Sequence, residues 1–258
     1  MLRRVLLIAR TVWLEFLRRK DFYVILILVG LFVVGILVVH IIGVENPQTA
    51  RFLMSFGLLL SYALAAILTA ATAARQLPDE IEKRTIQPLL AKPVSRSEVV
   101  MGKSLAVSAI ACTSLIIFLL VSWLPAPKLP DQHLSAFAQM TVLRLVSLCL
   151  LGIFTIVLSL YMPAIVAVLI TLTTFFAASM IVDFLKQVVG NFWRFGGKLV
   201  ERALAIIPDF SVFEHSQRYV QGASPLSGGA LAAIVAYGAV FAAFFYVLTV
   251  LSFKRRSL

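Results

Sequence analysis

Long apolar runs, each of span length, alternate with short polar stretches along this chain. They fall at about 22–44, 52–74, 105–124, 137–160, 164–183 and 229–252. About 20 apolar residues in a helix cross a bilayer core. The pattern predicts an all-α polytopic membrane protein with six transmembrane helices, all of 1–258 forming one membrane domain.

Residues 1–20 depart from this pattern. Leu2, Val5, Leu6, Ala9, Val12, Trp13 and Phe16 recur on one helical face, with Arg3, Arg4, Arg10, Glu15 and Arg18 opposite. This predicts an amphipathic helix in the membrane interface. The sharp break at Arg18-Arg19-Lys20-Asp21 favours it over a ragged start to the first span.

Two spans carry small residues every four positions. In the second these are Ala66, Ala70 and Ala74, and also Ser61, Ala65, Thr69 and Ala73. In the sixth they are Gly228, Ala232 and Ala236. Such faces let helix backbones approach closely. Pro125, Pro127 and Pro130 stiffen the loop after the third span, and Tyr161-Met162-Pro163 makes a tight turn after the fourth. Residues 184–228 are mixed in polarity, with Phe192, Trp193 and Phe195 suited to an interface. They predict short exterior helices against the outer leaflet.

Composition supports the membrane assignment. The chain is 61% hydrophobic and 14% charged, with mean hydropathy +0.99, where soluble domains are about 45–50% apolar. The net charge of +11 sits beside apolar runs. It reads as orientation and anionic headgroup contact, with no nucleic acid as partner. The charged first 20 residues and the span-length run after them do not suggest a cleavable signal peptide. Lys/Arg number six in 1–20, six in 75–103 and three after 253, against one each in 44–51 and 125–135. Both termini are expected in the cytoplasm. The five basic residues of 184–228 strain that rule, offset by Asp183, Glu201, Asp209 and Glu214.

The polar island Arg75–Lys103 holds six Lys/Arg and four Asp/Glu. Pro78 suits a helix's first position, and Asp79, Glu80 and Glu82 suit its first turn. Pro88 ends or kinks that helix. Ser95 and Glu98 then match a capping box, whose helix runs through Lys103 into the third span. The island predicts two short helices around a proline corner, a stiff frame suited to docking another protein.

These residues resemble a family. An acidic stretch, Arg84-Thr85-Ile86, then Leu89-Leu90-Ala91-Lys92-Pro93-Val94-Ser95-Arg96, then Gly102-Lys103 is similar to the cytoplasmic loop of ABC-2 type transporter permeases. The amphipathic start ending in Leu17-Arg18-Arg19-Lys20 and the segment around Pro208 add to the likeness. Pro88 departs from the commoner leucine-rich form. The resemblance implies a multi-pass permease of the inner (cytoplasmic) membrane, an ATP-driven exporter subunit. It implies a second permease chain, identical or related, and a separate ATP-binding subunit that holds ATP and Mg, with no cofactor on this chain. The loop between spans two and three would carry the coupling helix, with Glu80, Glu82, Arg84, Thr85, Leu89, Leu90, Lys92, Pro93, Val94, Ser95 and Arg96 contacting the ATPase.

Other signals are weaker. Met101-Gly102-Lys103-Ser104 ends like a phosphate loop, but Ser97 stands where the first glycine belongs and no strand precedes it. Lys103 reads instead as the cytoplasmic edge of the third span. Arg144, inside the fourth run, either lines a path or gate or reaches outer headgroups. The second is favoured if the span begins after Phe137. Thr171 and Thr174 could line a path, though such hydroxyls commonly bond their own backbone. Cys112 and Cys149 read as buried small residues. His40, His133 and His215 lack metal-ligand spacing, and no catalytic cluster is visible. The alternative reading is a non-transporting membrane scaffold or assembly factor that recruits a cytoplasmic protein.

Overall fold

The computed structural model describes residues 2–18, 47–79, 95–123, 133–177 and 208–255, with isolated positions between 23 and 38. Among the described residues there is no strand. The long helices are α1 (Leu2–Arg18), α2 (Pro47–Arg75), α3 (Arg96–Trp123) and α4 (Leu134–Tyr161). They are followed by α5 (Ala164–Ala177). A 3-10 turn at Phe210–Phe213 and the short α6 (Ser216–Val220) precede α7 (Gly228–Arg255). Four of these, α2, α3, α4 and α7, are long and apolar enough to cross a membrane. In the first expected span Tyr23, Ile27, Leu31, Val34 and Val38 are helical and exposed. Gly30 and Gly35 are likewise helical and exposed; the other positions of that span lie outside the described residues, as does the end of the fifth.

α3, α4 and α7 each have 28 residues. At 1.5 Å per residue each is about 42 Å long, longer than a ~30 Å hydrocarbon core. Their ends therefore project beyond it. Ala73, Leu77, Val100, Val107, Ile156, Leu160 and Phe253 form one cluster. It joins the C-terminal ends of α2, α4 and α7 to the first turns of α3, so α3 runs opposite to the other three. The larger cluster, with Met54, Leu58, Phe118, Met140, Leu143, Phe210 and Phe213, fills the other end.

The small-residue pattern of the second span decides its packing. Ser61, Ala65, Ala66, Thr69, Ala70, Ala73 and Ala74 are all fully buried. The Ser61 hydroxyl bonds the Gly57 carbonyl at 2.7 Å and lies 3.2 Å from that of Phe118. Gly152 of α4 completes the junction: a Cβ there would lie 2.7 Å from Val107 Cγ1 and 3.4 Å from Thr69 Cγ2. α4 is the central span, with 56% of its apolar window buried, against 11% for α7. The expected packing face of the sixth span is not used within the described residues: Gly228, Ala232 and Ala236 are exposed. α7 instead turns Gly238, Phe245, Thr249 and Phe253 inward.

α1 packs along α3. Val5, Val12 and Phe16 are buried, while Leu6, Leu7 and Leu14 are exposed. Gly102 permits the approach, because a Cβ there would meet Ile8 Cγ2 at 2.7 Å and the Val5 carbonyl at 3.1 Å. The amphipathic helix thus has one stripe on the bundle, with Leu6, Leu7, Arg10 and Leu14 exposed.

Replacing Gly152 by Val should cost about 1–3 kcal/mol through overpacking, read as a lower melting temperature of the solubilised protein. Gly229→Val, with nothing within 4 Å of the added Cβ, should leave that temperature unchanged.

Candidate functional site

Two polar clusters stand out, one at each end of the bundle. The first surrounds the start of α3. The Glu98 carboxylate accepts from the Ser95 backbone N–H at 2.9 Å, and the Glu98 N–H donates to Ser95 Oγ at 3.3 Å. This is the expected capping box, satisfying two N–H groups that the helix leaves open. Before it, the chain turns at Gln76–Leu77 and is helical again from Pro78. Glu80 to Val94 lie outside the described residues, so of the expected coupling positions only Ser95 and Arg96 are placed.

Two basic side chains of α3 reach the C-terminal carbonyls of neighbouring helices. Arg96 Nη1 donates to the Phe253 carbonyl at 2.9 Å, and its guanidinium lies 5.7 Å from the Phe253 ring centroid. Lys103, buried, donates through Nζ to the Gln76 carbonyl just beyond α2. Helix C-termini leave carbonyls unpaired and carry partial negative charge, so cations belong there. Tyr246 of α7 adds a bond from its hydroxyl to the Ser97 carbonyl at 3.2 Å. With Gly102 against α1, the first two turns of α3 are tied to three other helices. Lys103 was expected to mark a span edge; it stands at that end but is enclosed, because α3 begins at Arg96. The Gly102-Lys103-Ser104 run is helical throughout, not a phosphate loop.

The second cluster centres on Arg144. Sequence favoured an arginine reaching headgroups, but α4 begins at Leu134, ten residues earlier, and Arg144 is wholly buried. Its Nη1 donates to the Leu58 carbonyl of α2 at 2.9 Å. Its Nη2 lies 3.0 and 3.3 Å from the two carboxylate oxygens of Glu214. The guanidinium sits over the Tyr62 ring, 4.7 Å from the centroid. The Tyr62 hydroxyl in turn donates to Ser147 Oγ at 2.6 Å. Arg144 Nε makes no hydrogen bond among the described residues. A bare charge here would cost several kcal/mol, so the pair and the aromatic face are what make the position tenable.

Glu214 belongs to a strap, residues 208–227, that joins α7. Asp209 caps the 3-10 turn by accepting from the Ser211 N–H at 2.9 Å. Phe210, Phe213, Tyr219 and Val220 are buried in the bundle. A Cβ on Gly238 would lie 3.1 Å from the Phe213 ring. The described part of the segment expected at the exterior does form short helices, and its Phe210, Phe213, Tyr219 and Val220 pack into the bundle; residues 184–207 of that expectation lie outside the described residues. Sequence missed Glu214 as a partner and read it only as charge balance. The signal available was an acid in the segment before the last span, with an arginine inside an apolar run left to pair.

Thr174 Oγ1 donates to its own helix at the Ile170 carbonyl, 2.8 Å away. Thr171 is buried, and its hydroxyl has no hydrogen-bond partner among the described residues. The two cysteines are free and half-buried rather than enclosed. Among the described residues no group of His, Cys, Asp and Glu could hold a metal.

Membrane-length helices around a buried core define a multi-pass α-helical membrane protein. A family profile described as ABC-2 family transporter protein matches residues 11–190, more than half of the 258 residues, and the chain belongs to that family. It is a membrane transport permease, the transmembrane component of a transporter and not itself the ATPase. Membership implies an ATP-binding partner subunit. No curated protein matches the chain.

Lys103→Met should leave the Gln76 carbonyl unpaired, at a cost of about 1–3 kcal/mol. The expected result is faster hydrogen exchange at residues 76–79 and a lower melting temperature, with Lys103→Arg closer to the wild type on both measures.

Proposed function

We propose that this chain is the six-span permease subunit of an ATP-driven exporter in the inner membrane, a single membrane domain with both termini in the cytoplasm. ATP and Mg are held by a separate subunit, and a second permease chain, identical or related, completes the transporter. The partner ATPase docks on the island through Glu80, Glu82, Arg84, Thr85, Leu89, Leu90, Lys92, Pro93, Val94 and Ser95. Its closure pushes on the start of α3.

The observation that carries this reading is the set of ties at that start. A rigid helix that begins beside the island, crosses the bundle and grips α1, α2 and α7 within its first two turns can deliver one push to several spans together. The charge count supports the same orientation, since the island, the basic amphipathic helix and the basic C-terminal tail all belong to that end. In this reading Arg96 acts from within the permease, through Phe253, as well as bordering the docking surface. Arg144 and Thr171 are the path candidates best supported by their burial.

Affinity purification of the tagged chain from its native membranes tests the reading. An ATP-hydrolysing subunit should co-purify, and a chain that never brings one down refutes the proposal. Glu82→Ala and Arg84→Ala should each weaken that association about fivefold, as for loss of about 1 kcal/mol at an interface. Arg96→Ala should retain the partner yet lower ATP-driven transport or its coupling to hydrolysis. Equal loss of binding in all three variants would place Arg96 in the docking surface alone.

A further inference from the structure

The strap meets α4 at two polar points of different character. Near its junction with α7, the Gln139 side-chain amide donates to the Leu226 carbonyl at 3.0 Å and accepts from the Leu226 N–H at 2.8 Å. This is a neutral, two-point clamp beside the start of α7. Five residues further along α4, Arg144 holds Glu214. Between the two points the strap turns at Gly222, whose φ of 68° lies in the left-handed region that glycine enters without strain.

The ion pair is asymmetric. Arg144 is wholly enclosed, while the Glu214 side chain keeps 30% exposure. If the strap moves out, Glu214 goes toward water and is readily solvated. Its carboxylate also travels with its local support, because it accepts from the Ser216 N–H at 3.1 Å on the same segment. Arg144 stays behind, still bonded to the Leu58 carbonyl and covered by Tyr62. Both halves of the pair therefore have partners that survive separation. The buried guanidinium still loses its counter-charge, which makes partial opening unfavourable and the change close to two-state.

We propose that the strap is a gate over the end of the transport path opposite the island, hinged near Gly222 and Leu226, and that Arg144–Glu214 is the latch that keeps it shut. The gate rests on the permease reading above; the latch is defined by the geometry of this chain alone. Phe210 and Phe213 are the plug that opening withdraws, and Gln139 keeps the strap attached while it swings.

Hydrogen exchange followed by mass spectrometry, on the chain with its ATPase subunit in lipid nanodiscs, tests both parts. In the nucleotide-free wild type, amides of residues 209–220 should be protected. Trapping the complex with ATP and orthovanadate should raise their exchange while α4 stays unchanged. Glu214→Gln without nucleotide should raise exchange in 209–220 at least about tenfold, again sparing α2 and α4. Glu214→Asp, which keeps the charge on a shorter arm, should fall between, and it serves if Glu214→Gln does not fold. Exchange that rises as much in α2 and α4 as in the strap makes the pair a structural tie and overturns the latch. A trapped complex whose strap stays protected overturns the gate while leaving the permease reading intact. Failure to obtain any ATP-hydrolysing complex counts against that reading instead, and the Glu214 variants of the chain alone then decide the latch.

Discussion

Arg144 places a full positive charge on the most enclosed span of the bundle, and much of one end is arranged around it. The charge needs a carboxylate, so the strap must fold inward far enough for Glu214 to arrive. It needs a further acceptor, so α2 and α4 meet where the Leu58 carbonyl can turn toward it. It needs a cover, and Tyr62 lies across the guanidinium with its own hydroxyl satisfied by Ser147. One ionised group thus specifies the relative placement of two spans and a segment 70 residues away. Buried charge pairs often add little net stability; the contribution here is to position.

The opposite end meets a related problem with cheaper means. Helix ends in or near a bilayer expose carbonyls that water serves poorly. At the start of α3 two long basic side chains reach across to the ends of α2 and α7, and the helix's own first amides are closed by Ser95 and Glu98. The same residues that finish three helix ends also bind them together. Stability and mechanical continuity therefore arise from one set of contacts at this end, whereas the strap is held at separate points, by Gln139, by Arg144 and by the Tyr237 hydroxyl that accepts from the Asp209 N–H.

The parts of this structure that sequence made legible are local in origin. The Ser95–Glu98 box depends on a spacing of three residues, and the small-residue face of α2 on a spacing of four. Both are enforced by helix geometry before any tertiary contact forms. What sequence could not supply is pairing over distance. The same four-residue spacing marks Gly228, Ala232 and Ala236, yet they stay exposed while the face of α2 is buried. A small-residue stripe permits close approach without naming a partner. Arg144 was misplaced for a similar reason: hydropathy gives its depth along α4, but enclosure depends on Tyr62 and Glu214, which lie on other elements. The island from Glu80 to Val94, the most distinctive stretch in the sequence, lies outside the described residues, and the docking proposed for it rests on its residues and the family.

The bond between Arg96 and the Phe253 carbonyl joins residues 157 positions apart. It has a consequence for how the molecule is made. The island leaves the ribosome long before α7 does, and during that interval the start of α3 lacks both bonds that α7 gives it. The hub is complete only after the final span has been synthesised, inserted and packed. The start of α3 therefore gains its full set of ties only when both ends of the sequence-distant pair are in place, so the order of the chain makes the last span the one that closes the first-formed half of the bundle.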